Sequence, residues 1–160
     1  MKIELNWLDP IELGSSNTLR ENTKNGNFDF SLIPEISGVY IFYREFNQSQ
    51  EPLYIGKSTN IRSRMKQHFK NIDLLEGLQN SKKGQKKLIF AEVKVRGKAD
   101  LQRAIDQAEK ALIQYYREHN LMNKRFMDDY FDQVTSTGHS IELVNIETEV
   151  YTSKNWNNNF

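Results

Sequence analysis

Two tyrosines, an arginine, a histidine, a lysine and a glutamate are the side chains whose types and spacing invite a chemical reading of this sequence. Tyr40 closes the tripeptide Gly38-Val39-Tyr40, and Tyr54 opens Tyr54-Ile55-Gly56-Lys57 after an interval of thirteen residues, Ile41 to Leu53. Arg64 follows Gly56 by eight positions, His68 follows Arg64 by four, and Glu109 stands alone further on. Taken singly each has an ordinary explanation. Tyrosines in strands pack across the sheet, arginines and glutamates on helices are solvated, and a histidine suits a helix C-terminus. The charge distribution is less ordinary. Between residues 57 and 98 twelve lysines and arginines face three acids, a local excess of nine in a chain of net charge +1. An excess of that size is the electrostatic footprint of a polyanion site, with a solvated basic face as the plainer alternative.

The elements that must position these groups follow from the pattern. Gly38 to Tyr43 and Pro52 to Gly56 are rich in β-branched and aromatic residues and read as two strands of a hairpin joined by a polar connection, Glu45 to Glu51. Ser58-Thr59-Asn60 offers caps for a helix in which Ile61, Met65 and Phe69 form an apolar stripe; Arg64 and His68 share the adjacent face, one turn apart. A short helix is expected over Ile72 to Leu78, a basic loop over Ser81 to Lys87, and a third strand over Leu88 to Arg96. Asp100 to His119 has the strongest helical period, with Glu109 beside its apolar stripe. Residues 1 to 32 read as an irregular, turn-rich arm with a short helix near Asn17 to Glu21. After Asn120, a helix over Phe126 to Phe131, strands within Ile141 to Tyr151 and a disordered tail from Asn155 are expected.

Together the candidate residues resemble the motif set of the GIY-YIG nuclease family. Gly38-Val39-Tyr40 and Tyr54-Ile55-Gly56 are similar to the two tripeptides that name it. Arg64 is similar to its helical arginine, His68 to a histidine of several branches, and Glu109 before Leu112-Ile113 to its metal-binding glutamate. Asn123 looks like the closing asparagine, although Asn120 is also near the expected place and the usual preceding proline is absent. The interval between the tripeptides is a few residues longer than usual, which fits a longer hairpin loop. The likeness runs from about residue 33 to 124, and implies an α+β fold: a central three-stranded antiparallel sheet flanked by helices. Residues 1–32 would be an arm, 33–124 the nuclease core and 125–160 an extension packed on the same domain.

The resemblance also implies a chemistry. Phosphodiester hydrolysis needs an activated water, neutralised charge and help for the departing oxygen. Glu109 would hold one Mg²⁺ (or Mn²⁺) per active site, since such ions take few carboxylates. Arg64 would grip the phosphate through its forked N–H groups. Tyr40 would be the general base or its relay and Tyr54 would orient water or phosphate, or the reverse; Lys57 and Arg64 would favour the phenolate. His68 would contact phosphate or tyrosine, with Gly38, Gly56 and Asn123 as structural support. Lys57, Arg62, Lys66, Lys82, Lys83, Lys86 and Lys87 are the expected DNA-backbone contacts.

The expected activity is that of a Mg²⁺-dependent DNA endonuclease whose job is restriction, repair nicking or a mobile-element or phage function, with a compact restriction-type enzyme favoured; it cuts one strand per site and needs a homodimer or two successive events for a double-strand break. The rivals are a catalytically silent nucleic-acid-binding module with the same fold, and an interaction domain with coincidental motifs. With no cysteine, disulfides and thiolate metal sites are excluded. Three histidines, His68, His119 and His139, argue against a His-rich zinc centre. No apolar run approaches the roughly 20 residues that span a bilayer, and the N-terminus lacks the pattern of a signal peptide. A cytoplasmic protein with no membrane partner is expected.

Overall fold

A computed structural model describes residues 3–24, 26–96, 100–116, 118–119, 121–122, 134–137 and 149–150. The first strand, β1 (Ile3–Trp7), alternates strictly, with Ile3, Leu5 and Trp7 buried. Asp9-Pro10 interrupts it, and β2 (Ile11–Gly14) resumes on the same neighbour. A short helix, α1 (Leu19–Asn22), and a 3₁₀ turn (Phe30–Leu32) lead to the long hairpin of β3 (Gly38–Phe46) and β4 (Ser49–Ser58). The helices α2 (Ile61–His68) and α3 (Ile72–Gln79) follow, then β5 (Gln85–Val95) and the longest helix, α4 (Leu101–Tyr115). The short strands β6 (Val134–Thr137) and β7 (Glu149–Val150) come last.

These strands form one sheet in the order β4-β3-β5-β1-β6-β7, with β2 also pairing β5. The expected antiparallel trio β4-β3-β5 is its heart. The sheet is larger than three strands because the N-terminal segment is no irregular arm: β1 and β2 lie end to end along the free edge of β5, Leu5 opposite Val93 and Ile11 opposite Leu88. β6 then adds parallel to β1. Covering that edge satisfies backbone groups that would otherwise template pairing with another chain. Each fully buried Ile3 or Leu5 side chain adds roughly 1.5–3 kcal/mol before chain entropy is charged against it.

Alternation in β3 sends Val39, Ile41 and Tyr43 to one face and Tyr40 and Phe42 to the other, and both faces are covered. The first face packs against Ala104, Ile105, Ala108, Ala111 and Leu112 of α4. The second packs against Ile61 and Met65 of α2 and Leu74, Leu75 and Leu78 of α3. Helix starts follow side-chain caps: Asn60 accepts from the Ser63 N–H, Asn71 from Leu74, and Asp100 from Gln102 and Arg103.

Two local expectations are corrected. The long interval between the tripeptides is spent on longer strands, which run to Phe46 and resume at Ser49 around a tight turn with Asn47 and Gln48 at φ 49 and 66. Positive φ at both central residues suits the twist of a two-residue hairpin. The basic loop ends early, so Lys86 and Lys87 belong to β5. The expected helix over 126–131 and tail from Asn155 lie outside the described residues, as does Ile141 to Tyr151 apart from β7. Among the described residues no helix is long and apolar enough to cross a membrane.

Candidate active site

The two glycines of the tripeptides make room for a tyrosine and for a neighbouring backbone. Tyr40 lies directly across from Gly56 in the β3–β4 ladder. A β-carbon on Gly56 would come within 2.3 Å of the Tyr40 ring and hydroxyl oxygen, so the phenol lies flat over the place where any other residue would project. On Gly38 it would meet the Ala91 carbonyl oxygen at 1.8 Å, which fixes how closely β3 approaches β5. Both positions need glycine for space.

Over Gly56, the Tyr40 ring is 1% exposed and its hydroxyl shares a 2.5 Å hydrogen bond with His68 Nε2. Tyr54, half-buried on the same face, stacks near it with centroids 6.5 Å apart and planes 19° apart. Phe42 and the His68 ring close the box edge-on, His68 lying 5.7 Å from Tyr54 and 5.9 Å from Phe42. Helix α2 presents His68 to this box because Ile61 and Met65, its apolar stripe, seat it on the sheet.

Burial sets the protonation of the pair. It pushes the Tyr40 phenol well above the ordinary tyrosine range, an effect that the nearby Arg64 opposes without overcoming. The neighbouring charges of Tyr54 and Glu109 add to the rise. The expectation that Lys57 and Arg64 would favour a phenolate is therefore reversed: desolvation wins. Burial, aided by the Arg64 charge, also lowers His68 to about 4, so its imidazole is neutral at pH 7. A neutral imidazole paired with a protonated phenol can accept the phenolic proton at Nε2; a charged one could only donate.

Beyond the box lies a polar cleft of about 440 Å³, lined by Lys57, Asn60, Ser63, Arg64, Gln67 and Gln102 among others. Arg64 is exposed there, and its Nη1 donates to Gln67 Oε1 at 3.0 Å, so the guanidinium is oriented by its own helix. Helix α4, whose Gln102 and Ile105 line the cleft, also carries Glu109, only 1% exposed. Lys57 reaches over from the end of β4. Its Nζ lies 2.6 Å from Asp106 Oδ1 and 3.5 Å from Glu109 Oε2. Burial works against the charge on Lys57, but the two carboxylates outweigh it and hold the ammonium above the ordinary lysine range. Asp106, despite its own partial burial, is held below the usual carboxylate range by Lys57 and by Gln102.

No group of three or more acidic, histidine or cysteine side chains stands close enough to cage a metal among the described residues. A hard divalent cation bound through one carboxylate and otherwise by water and phosphate fits this donor set; a closed protein cage does not. Asp106 and Gln67 were not singled out by sequence, though Asp106 sits one helical turn before Glu109, on the same face. Asn123 and Asn120 lie outside the described residues. Met122, immediately before Asn123, donates its N–H to the Leu53 carbonyl at 2.7 Å, one residue before Tyr54.

The predicted backbone contacts divide. Lys66 is exposed on α2 with Nζ 5.7 Å above the Phe30 ring, and Lys82 and Lys83 are exposed, the latter over Phe46. Arg62 is drawn into the fold, its Nε donating to the Ile33 carbonyl at 2.7 Å. Lys87 pairs with Glu45 at 3.3 Å and Glu12 at 3.8 Å. Lys86 is 1% exposed and donates to the Lys82 carbonyl. Lys86 pairs with Arg44, four residues up β3 from Tyr40, or roughly 13 Å along the strand. The stretch 82–87 is thus not part of the tyrosine box.

One α+β domain thus carries Tyr40 and Tyr54 on its hairpin, Arg64 and His68 on α2 and Glu109 on α4. Residues 36–125 match the model of the GIY-YIG catalytic domain, and the chain belongs to the GIY-YIG family. A segment of 42 residues is 48% identical to the UvrABC system protein C of Deinococcus radiodurans. That segment covers 26% of this chain and 6% of that protein. No solved structure matches the chain.

Proposed function

We propose that this chain is a divalent-metal-dependent DNA endonuclease that hydrolyses one phosphodiester bond per site in the cleft between α2 and α4. The observation that carries the reading is the buried Tyr40 hydroxyl, 2.5 Å from a neutral His68 and set over Gly56, in a chain matching the GIY-YIG catalytic domain over residues 36–125.

A phenol held this far above its ordinary range does not rest as a phenolate. It can still act as a relay: the Tyr40 oxygen takes a proton from the attacking water as its own proton passes to His68 Nε2. No group then carries a lone buried charge for long, and His68 ends as an imidazolium beside the developing phosphate anion. Arg64, aligned by Gln67, binds the non-bridging oxygens with its planar fork. Tyr54 offers a second hydroxyl on the same face to orient water or phosphate. Glu109 would hold a Mg²⁺ or Mn²⁺ ion, which supplies charge neutralisation at the phosphate and at the departing oxygen. Lys66, Lys82 and Lys83, exposed and cationic, supply salt-dependent grip on the backbone. One site per chain cuts one strand, so a double-strand break takes a homodimer or two events, and surfaces flanking the matched region would supply the base contacts of a restriction-type enzyme.

The test is plasmid nicking with and without Mg²⁺, comparing the natural chain with Glu109→Gln. Magnesium-dependent nicking that disappears in the variant is the expected outcome. Salt-sensitive DNA binding with no cleavage of plasmid or branched DNA at any metal concentration would replace this reading with that of a silent binding module.

A further inference from the structure

Lys57 has two carboxylate partners, and the one it grips is not the one matched by the family motif. Its Nζ is 2.6 Å from Asp106 Oδ1 but 3.5 Å from Glu109 Oε2. The first is a short charge-assisted hydrogen bond; the second exceeds the 2.7–2.9 Å typical of one. Asp106 is itself braced by Gln102, whose Nε2 donates to the same Oδ1 at 3.1 Å. The two acids differ in setting as well. The Asp106 side chain is 37% exposed and the Glu109 side chain only 1% exposed. They stand three residues apart on α4, so a lysine with four flexible carbons reaches either.

We propose that Asp106 is a positioning residue: it draws the Lys57 ammonium toward its own, more exposed carboxylate and so keeps it from closing on Glu109 and competing with a divalent cation there. The proposal rests on the reading that Glu109 holds such a cation. An ammonium and a divalent ion repel each other and seek the same carboxylate. With Asp106 in place the ammonium stays anchored outside. Without that carboxylate, the acid that remains beside Lys57 among the described residues is Glu109.

The experiment measures Mn²⁺ binding without DNA, from the electron paramagnetic resonance signal of the free ion, in the full chain and in Asp106→Asn, Lys57→Met, Asp106→Asn/Lys57→Met and Glu109→Gln. Asp106→Asn, near-isosteric and at a partly exposed site, is expected to weaken Mn²⁺ about tenfold with an unchanged circular dichroism spectrum, a loss of about 1.4 kcal/mol. In the Lys57→Met background the same substitution is expected to change affinity less than twofold, because no ammonium remains to be redirected. Wild-type affinity in Asp106→Asn, with binding lost in Glu109→Gln, overturns the positioning role and leaves the Glu109 reading intact. An equal tenfold loss in both backgrounds also overturns it, since Asp106 would then act on the ion directly. Unchanged binding in Glu109→Gln removes the metal reading and this proposal with it.

Discussion

Gly56→Ala is the sharpest test of how the two tripeptides cooperate, because it adds one methyl group and alters no charge. The new β-carbon would lie 2.3 Å from the Tyr40 ring and oxygen, and an ordinary contact begins near 3.4 Å, so the phenol has to withdraw by about 1.1 Å. The ring is 1% exposed and bounded by Phe42, Tyr54 and His68, which leaves little slack. Overpacking a filled interior costs about 1–3 kcal/mol. Drawing the hydroxyl away from His68 forfeits a further ~1 kcal/mol. Stability should therefore fall by about 2–4 kcal/mol. The rate should fall more, since a displacement of ~1 Å in a catalytic group costs about a hundredfold. Urea denaturation and single-turnover nicking at saturating enzyme measure the two effects separately. The cause is isolated by repeating the change in Tyr40→Ala, where the methyl enters vacated space and should cost less than about 1 kcal/mol. Equal destabilisation in both backgrounds would show that Gly56 is needed for backbone reasons and that the account of the paired tripeptides is wrong.

Two tyrosines three residues apart in β3 provide an internal control: Tyr40→Phe should lower the nicking rate by at least a hundredfold, while Tyr43→Phe should leave the rate alone and raise stability by about 1 kcal/mol. The Tyr43 hydroxyl is buried with no hydrogen-bond partner among the described residues, so its removal relieves a desolvated group; a destabilised Tyr43→Phe in urea would contradict this. His68 should make stability depend on pH. Its folded pKa, about 4, lies below the ordinary 6.5, so the unfolded chain binds the proton first and stability falls as pH drops through that window, by roughly 3 kcal/mol in all. Denaturation midpoints from pH 7 to 4 for the natural chain and His68→Asn should diverge accordingly, and parallel curves would refute a neutral buried imidazole. Replacing Lys66, Lys82 and Lys83 by Gln should reduce the slope of log affinity against log salt by up to ~0.9 for each phosphate that is no longer neutralised. Replacing Lys86 and Lys87 should lower stability and leave that slope alone. The reverse pattern would put the DNA on the other set.

The hairpin strands, α2, α3, β5 and α4 were legible because periodicity and capping residues agree in each: Asn60 and Asp100 are both side-chain caps where the pattern calls for helix starts. The N-terminal strands were hidden by composition. Gly14 to Asn17 and Asn25 to Asn27 mark a loop-rich region, and the five-residue alternation of Ile3, Leu5 and Trp7, cut short by Asp9-Pro10, was too brief to outweigh it. In the site, residue types could indicate candidates but not protonation. Lys57 and Arg64 flank the tyrosines in sequence and suggest a lowered phenolic pKa, yet burial has the larger effect on Tyr40 and only packing reveals it. Long-range partners were equally invisible: 49 positions separate Lys57 from Asp106, and no local pattern selects that aspartate from its neighbours.

These hidden parts change what counts as the functional unit. The family match begins at residue 36, but β5, which pairs β3 on one side, is bordered on the other by β1 and β2, from residues 3–14. Trp7, Ile3 and Leu5 belong to the same core as Val39, Ile41 and the α4 residues that carry Glu109 inward. Removing the first fourteen residues would thus open the edge of β5 and take Ile3, Leu5 and Trp7 out of the core on which α4 sits, while touching none of the motif residues. Glu109 would leave its fixed place opposite Lys57 before Tyr40, over Gly56 on the other face, parted from His68. A chain shortened to start at residue 15 should therefore lose Mn²⁺ binding and thermal stability together even with every motif residue present. Retention of both would mean that α4 is held by β3, β4 and β5 alone.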